Sequence, residues 1–132
     1  MSLVFTNGCF DILHRGHLRL FEYCRSLGKE VHVGIDSDKR IKLFKGQSRP
    51  VNCEEDRKFM LESIKFIDKV YIFDTEKELC NLVNTLSPDI MIVGSDYKNQ
   101  NVIGSEYSKK LMFYDKIYGY STSKIIRNIS GW

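Results

Sequence analysis

The chain has 132 residues, 42% hydrophobic and 28% charged, which is enough apolar material for one domain with its own core. Its 20 Lys and Arg against 17 Asp and Glu leave a net charge of +3 with no concentrated basic face, which argues against nucleic acid as the main partner and suits a small anionic ligand. Cys9, Cys24, Cys53 and Cys80 show no C-x-x-C spacing, which argues against zinc or thioredoxin-like chemistry. No signal peptide or long apolar run is visible, so a reducing cytoplasm and no membrane partner are the default expectation.

In chain order, LVFT at 3–6 is short, apolar and β-prone and reads as a buried first strand. Leu18, Phe21, Cys24 and Leu27 recur at helical spacing across 17–28, and Gly28 is placed to end that helix. Cys24, and likewise Cys80 further on, fall among apolar neighbours and read as small core residues. VHVGI at 31–35 reads as a second strand, and residues 42–52, with Gly, Ser and Pro and no stable period, as a loop. Asn52 is a good N-cap, and Glu55 three residues on completes a capping-box-like pattern. The helix it opens is expected to run to about Phe66, with Phe59, Met60, Ile64 and Ile67 inward. A third strand is expected at 69–73, a helix at 76–86 with Leu79, Leu82, Val83 and Leu86 on one side, and a fourth strand at 90–94 after Pro88. KIYGY at 116–120 reads as a fifth strand and 121–129 as a capped terminal helix. Strands alternate with helices and several are apolar on both faces. This predicts an α/β fold: a Rossmann-like, doubly wound parallel sheet of about five strands with helices on both faces, in one domain over 1–132. No repeat or linker is visible.

Two of the three histidines stand in one stretch, TNGCFDILHRGH at 6–17, between the first strand and the first helix. In an open parallel sheet, ligands bind beyond the carboxyl ends of the strands, which is where this stretch lies. Gly8 and Gly16 let the backbone approach a ligand closely. Neither the dinucleotide pattern G-x-G-x-x-G nor a P-loop is present. The residues that stand there are Thr6, Gly8, Phe10, Asp11, His14, Gly16 and His17.

That string resembles the signature of the cytidylyltransferase-like nucleotidyltransferases of the HIGH-motif superfamily, with His14, Gly16 and His17 as its H-x-G-H core. A second segment, YSTSKII at 120–126, resembles the family's I-S-T-T-x-I box. The implied reaction joins a nucleoside monophosphate, taken from a nucleoside triphosphate, to a phosphorylated acceptor and releases pyrophosphate. Such a displacement rests on positioning and charge neutralisation. His14 and His17 then donate imidazole N–H groups beside a helix N-terminus, itself an anion site. Asp11 is expected to orient substrate hydroxyls or hydrated Mg²⁺, the cofactor carried with the triphosphate. Thr6 is weighed as a phosphate contact, and Phe10 as packing. KGQSRPVN at 45–52 resembles a segment of the bacterial heptose-phosphate nucleotidyltransferases, which implies Lys45 as a phosphate-facing catalytic residue and Lys42 as a second of its kind. Arg57 matches the arginine of the family's E-x-R box and is expected to bind phosphate of donor or acceptor. Gly94 and Asp96, in VGSDYK, are expected near the nucleotide, and VIGSEY at 102–107 resembles the heptose-type I-x-G-S-E stretch. Ser121, Thr122 and Ser123 are expected to hold the β- and γ-phosphates, with Lys124 and Arg127 nearby. No protein-held metal is implied.

Three segments point to the heptose-1-phosphate adenylyltransferase branch and ATP, hence to lipopolysaccharide or other cell-surface polysaccharide biosynthesis: the opening stretch, KGQSRPVN, and GSDYK with IGSEY. A glycerol-phosphate or polyol-phosphate cytidylyltransferase using CTP is the second reading. It is weakened because Lys116, not arginine, precedes the STS box. A flavin adenylyltransferase is the third, and a nucleotide-binding regulatory module without catalysis is the non-enzyme alternative. Relatives of this kind are commonly dimers, which leaves a homodimer open.

Overall fold

Strands β1 (Leu3–Gly8), β2 (Glu30–Asp36), β3 (Lys69–Phe73), β4 (Ile90–Gly94) and β5 (Lys110–Tyr114) form one sheet in the order β3-β2-β1-β4-β5. Every pairing in it is parallel. The computed structural model describes residues 2–115, 125–127 and 129. The chain starts in the middle of the sheet, steps outward to β3, then crosses back to place β4 on the other flank of β1. The connections after β1 and β4 therefore lead away in opposite directions, and a crevice opens where they part.

Alternation along the strands sends side chains to two cores. Val4, Val31, Val33, Ile35, Val70 and Ile92 pack with Phe21 and Cys24 of helix α1 (Arg15–Leu27) and Leu61 of helix α3 (Glu54–Glu62). Phe5, Phe73, Met91 and Val93 pack on the opposite face with Leu79 and Val83 of helix α4 (Glu76–Leu86). Burying each such side chain stabilises the fold by roughly 1.5–3 kcal/mol, so both faces of the sheet need their helices. This is the doubly wound arrangement the strand–helix alternation predicts. Gly28 ends α1 because of space: a Cβ there would stand 2.7 Å from Val4 Cγ2.

Three expectations are corrected, and two fall wholly or partly outside the described residues. The loop expected at 42–52 begins as helix α2 (Asp38–Lys45), capped by Ser37, whose hydroxyl accepts the Arg40 N–H at 3.1 Å. Helix α3 is not capped by Asn52. Cys53 is its N-cap, without a side-chain bond, and the helix ends at Glu62 rather than near Phe66. Its inward side carries Arg57 and Leu61, whereas Phe59 and Met60 face outward at 71% and 46% exposure. The fifth strand lies at Lys110–Tyr114, while the segment 116–120 that was expected to form it lies outside the described residues. Of the terminal helix expected at 121–129, residues 125–127 and 129 are helical and 121–124 lie outside the described residues. Cys24 is buried as expected and Cys80 partly so. Among the described residues no helix is long and apolar enough to cross a membrane.

Candidate active site

The crevice between the ends of β1 and β4 is a cleft of about 500 Å³. Thr6, Gly8, Phe10 and Asp11 line it from the end of β1 and the loop that follows, and His14, Gly16 and His17 from the start of α1. Gly94 and Asp96 line it from the far side, and Lys45 from the end of α2. Ten of the residues singled out in the sequence thus converge on one cavity. Ser121, Thr122, Ser123 and Lys124 lie outside the described residues.

The start of α1 is built from the two imidazoles. His14 is the N-cap, and its Nδ1 accepts the Gly16 N–H at 3.1 Å. The His14 N–H in turn donates to His17 Nδ1 at 3.3 Å. This reciprocal cap does with two histidines what a capping box does with Ser and Glu. The rings stack with centroids 3.8 Å apart and planes 22° apart. Each Nδ1 is an acceptor, so Nε2 carries the proton in both neutral rings. Three effects favour that neutral form. Burial lowers the pKa of His14 below its ordinary 6.5, a second imidazolium stacked at this distance would repel the first, and the helix N-terminus is a positive pole. The H-x-G-H segment therefore sets two stacked imidazoles beside the backbone amides of a helix start.

Phe10 holds this arrangement from below. Its φ of 48° is left-handed, a conformation that costs about 1–3 kcal/mol. The ring is wedged at 5.1 Å from Phe21 and 5.3 Å from His17, which keeps the backbone there. Gly8 leaves the room, since a Cβ on it would come within 3.1 Å of the Phe10 ring. The expectation of packing for Phe10 fits this geometry.

Three residues expected to touch substrate are bonded to the protein instead. Asp11 is buried; its carboxylate accepts the N–H groups of Val51 at 2.7 Å and Asn52 at 2.8 Å, and Arg49 Nε stands 3.6 Å away. Asn52 completes the tie by donating its side-chain amide to the Asp11 carbonyl at 2.9 Å. Asp11 thus fastens the 49–52 loop to the histidine loop. Arg57 is fully buried and lies away from the cleft lining. Its guanidinium donates to the carbonyls of Asn52 (3.0 Å), Cys9 (2.9 Å) and Asp36 (2.7 Å), and to Asp38 Oδ1 at 2.8 Å. The arginine expected to bind phosphate is an internal brace joining three segments. Lys42 also points to the protein, donating to the Arg49 carbonyl at 3.2 Å.

The cleft wall on the β2 side holds residues that sequence reasoning missed. Arg40, Arg49 and Asp36 join Lys45 in lining it. Asp36 accepts Arg40 Nε–H at 2.7 Å on one oxygen and the Cys9 thiol at 3.4 Å on the other. Burial, reinforced by the Asp36 carboxylate, pushes the Cys9 thiol up to about 11, so it remains a thiol. The signal for Arg40 was its place four residues after a strand-ending aspartate; without a helix over 38–45 that spacing meant nothing. Asn7 Oδ1 is buried at the cleft without a hydrogen-bond partner among the described residues, as an acceptor awaiting a ligand donor would be. Among those residues no three His, Cys, Asp or Glu side chains form a metal-holding group.

A helix start that carries two stacked imidazoles, placed at a switch point and sharing its cleft with three cations, is matched to a phosphorylated ligand. Fold and cleft together define a nucleotide-handling α/β domain. The chain belongs to the cytidylyltransferase-like family, which matches residues 5–128, and it is a nucleotidyltransferase domain of that family. It is 45% identical over 130 residues to the bifunctional protein HldE of Campylobacter fetus subsp. fetus, covering 98% of this chain and 28% of that protein. The HldE of Campylobacter jejuni subsp. jejuni is 47% identical over 128 residues, covering 97% and 28% respectively. The chain thus spans little more than a quarter of the length of the curated relatives it matches. Among solved structures, the lipopolysaccharide core biosynthesis protein of Thermoplasma volcanium GSS1 is similar, with a TM-score of 0.70 and 25% identity. That match covers 86% of this chain and 97% of that one.

Proposed function

We propose that this domain is a sugar-1-phosphate adenylyltransferase, which transfers AMP from ATP to the phosphate of a heptose 1-phosphate and releases pyrophosphate. The observation that carries the reading is the reciprocal His14–His17 cap opening on a cleft with a cationic wall. The heptose-type segments KGQSRPVN and GSDYK with IGSEY, and the similarity to the HldE proteins, support the choice of acceptor and its place in cell-surface polysaccharide biosynthesis in the cytoplasm.

In this reading an oxygen of the acceptor phosphate attacks the α-phosphorus in line while the bond to the β-phosphate oxygen breaks. His14 and His17 donate from Nε2 to the charge that builds on the α-phosphoryl oxygens, and the Gly16 region of α1 adds its positive end. Lys45 neutralises phosphate charge from the opposite wall. Thr6 and Gly8 border the phosphates, Gly94 and Asp96 take the nucleoside side, and Ser121, Thr122 and Ser123 take the β- and γ-phosphates. Asp11 and Asp36 already accept protein donors on both carboxylate oxygens, which fits Mg²⁺ carried by the triphosphate rather than gripped by the protein. That ion supplies charge neutralisation on the leaving pyrophosphate.

The test is pyrophosphate release with ATP, CTP, GTP and UTP, each against heptose 1-phosphate, glycerol 3-phosphate and other sugar phosphates. Turnover confined to ATP with heptose 1-phosphate is expected. Turnover with CTP and glycerol 3-phosphate would replace the acceptor and the base, and tight nucleotide binding without turnover in any pair would make the domain a binding module.

A further inference from the structure

Arg57, which the motif assigns to acceptor or phosphate, directs its guanidinium to three protein carbonyls and to Asp38, and Lys42, assigned likewise, donates to the Arg49 carbonyl and does not line the cleft. Arg40 is the opposite case. Its side chain is 14% exposed and borders the cleft. Among the described residues its only hydrogen bond is the one from Nε to Asp36, so both Nη groups remain without such a partner. The guanidinium is nonetheless held. Asp36 fixes one edge, the Phe44 and Phe73 rings lie 5.0 and 5.4 Å from its central carbon, and the Cys9 thiol fixes Asp36 in turn. A planar fork, immobilised at one edge and carrying its remaining N–H groups at a cleft, is a preorganised receptor for a phosphate monoester.

Its position separates it from the nucleotide phosphates. Gly94 and Asp96 stand at and just after the end of β4, whereas Asp36 ends β2 and Arg40 follows it on α2, on the other side of β1. Neighbouring strands are about 4.8 Å apart, so the ends of β2 and β4 are roughly 10 Å apart. In-line transfer needs the attacking phosphate on the side of the α-phosphorus opposite the leaving pyrophosphate, hence two separate anion subsites. We propose that Arg40, braced by Asp36, Phe44 and Phe73, binds the phosphate of the acceptor and sets the preference for a phosphomonoester there; this rests on the transferase reading.

The variants are Arg40→Gln, which keeps polarity and drops the charge, and Arg40→Lys, which keeps the charge and loses the fork. With ATP and heptose 1-phosphate, Arg40→Gln is expected to raise the acceptor KM by about 10–100-fold, with Arg40→Lys between it and wild type and the ATP KM within about two-fold in both. An arginine serving only to cap Asp36 would lower the unfolding midpoint and leave the acceptor KM alone. An unchanged acceptor KM, or a rise in the ATP KM instead, overturns the assignment. Thermal protection by heptose 1-phosphate, and by inorganic phosphate, without nucleotide is read in parallel. Protection of wild type that is lost in Arg40→Gln supports the site even if wild type releases no pyrophosphate, a result that would sink the transferase reading alone. Equal protection of both proteins sinks the Arg40 site.

Discussion

Arg57→Met separates a structural brace from a phosphate ligand, because methionine keeps much of the volume and removes every donor. Arginine there donates four hydrogen bonds, to the carbonyls of Asn52, Cys9 and Asp36 and to Asp38. Charged hydrogen bonds contribute about 1.5–3 kcal/mol each, but four on one group do not add, and deleting one partner of a buried ion pair costs about 3–5 kcal/mol. A loss of about 4 kcal/mol is expected, close to a thousand-fold in the folded-to-unfolded ratio. At this chain length that corresponds to roughly 15 °C in Tm. Urea unfolding followed by far-UV circular dichroism measures it. Arg57→Lys should recover only part, since one ammonium cannot span three carbonyls and a carboxylate. If Arg57→Met unfolds within about 0.5 kcal/mol of wild type and its defect is confined to KM for a phosphorylated substrate, the brace assignment is wrong and the motif-based expectation was right.

His14→Ala and His17→Ala should each cut turnover by about 10²–10³-fold, as loss of one preorganised donor does, while the lost cap costs about 1 kcal/mol; near-normal rates in both would remove the histidines from the chemistry. The lowered pKa of His14 also fixes a sign: its contribution is present above its ordinary 6.5 and is lost as pH falls, because the unfolded chain takes up the proton first. Wild type should therefore lose more stability than His14→Ala between about pH 7.5 and 5.5, read as urea midpoints. Cys53→Ser should stabilise the protein by about 0.5–1 kcal/mol, because Cys53 sits at the N-cap of α3 without a side-chain bond that serine can supply. Under iodoacetamide, exposed Cys53 should be alkylated well before Cys9, whose thiol is held near 11; peptide mass mapping reads the order, and early modification of Cys9 would contradict its pairing with Asp36.

Elements with a clean apolar period were legible in the sequence almost to the residue: β3, β4 and α4 fall at the expected positions. Helix α2 was not, because only Ile41 on it is buried, while Leu43 and Phe44 face outward at 75% and 69% exposure and erase the amphipathic signal. In α3 the reading put Phe59 and Met60 inside by treating hydrophobicity as depth. Arg57 occupies the inward face one turn before Leu61, and the outward face is the one 200° round the helix from it. Strand β5 lies at the sheet edge and is exposed or only partly buried along its length, so KLMFY shows neither the alternation of a half-buried strand nor the β-branched run of a central one. The gathering of Gly8, His14, Gly16 and His17 at one cleft was legible, because the motif fixes their order between the end of β1 and the start of α1. The site was illegible where charge decided, because sequence shows that a cation exists and not where its donors go.

That difference gives a physical rule for sorting the charged residues of this site. A side chain whose donors or acceptors are all met inside the protein stabilises the loop it ties, and a ligand competing for it must first break those bonds. Asp11 and Arg57 belong to this class, and both stitch the loop after α2 to the loop after β1. A side chain fixed at one edge and facing the cleft with its other groups is held in place at no further ordering cost when an anion arrives. Arg40 belongs here. The two classes depend on each other. The Asp36 carbonyl is held by Arg57 and its carboxylate holds Arg40, so the buried brace and the cleft-facing fork meet at one residue at the end of β2. Loss of Arg57 should therefore disturb Arg40 through Asp36. In a double-mutant cycle on acceptor protection, the two substitutions should be non-additive, whereas Arg57→Met combined with His14→Ala should come closer to additivity.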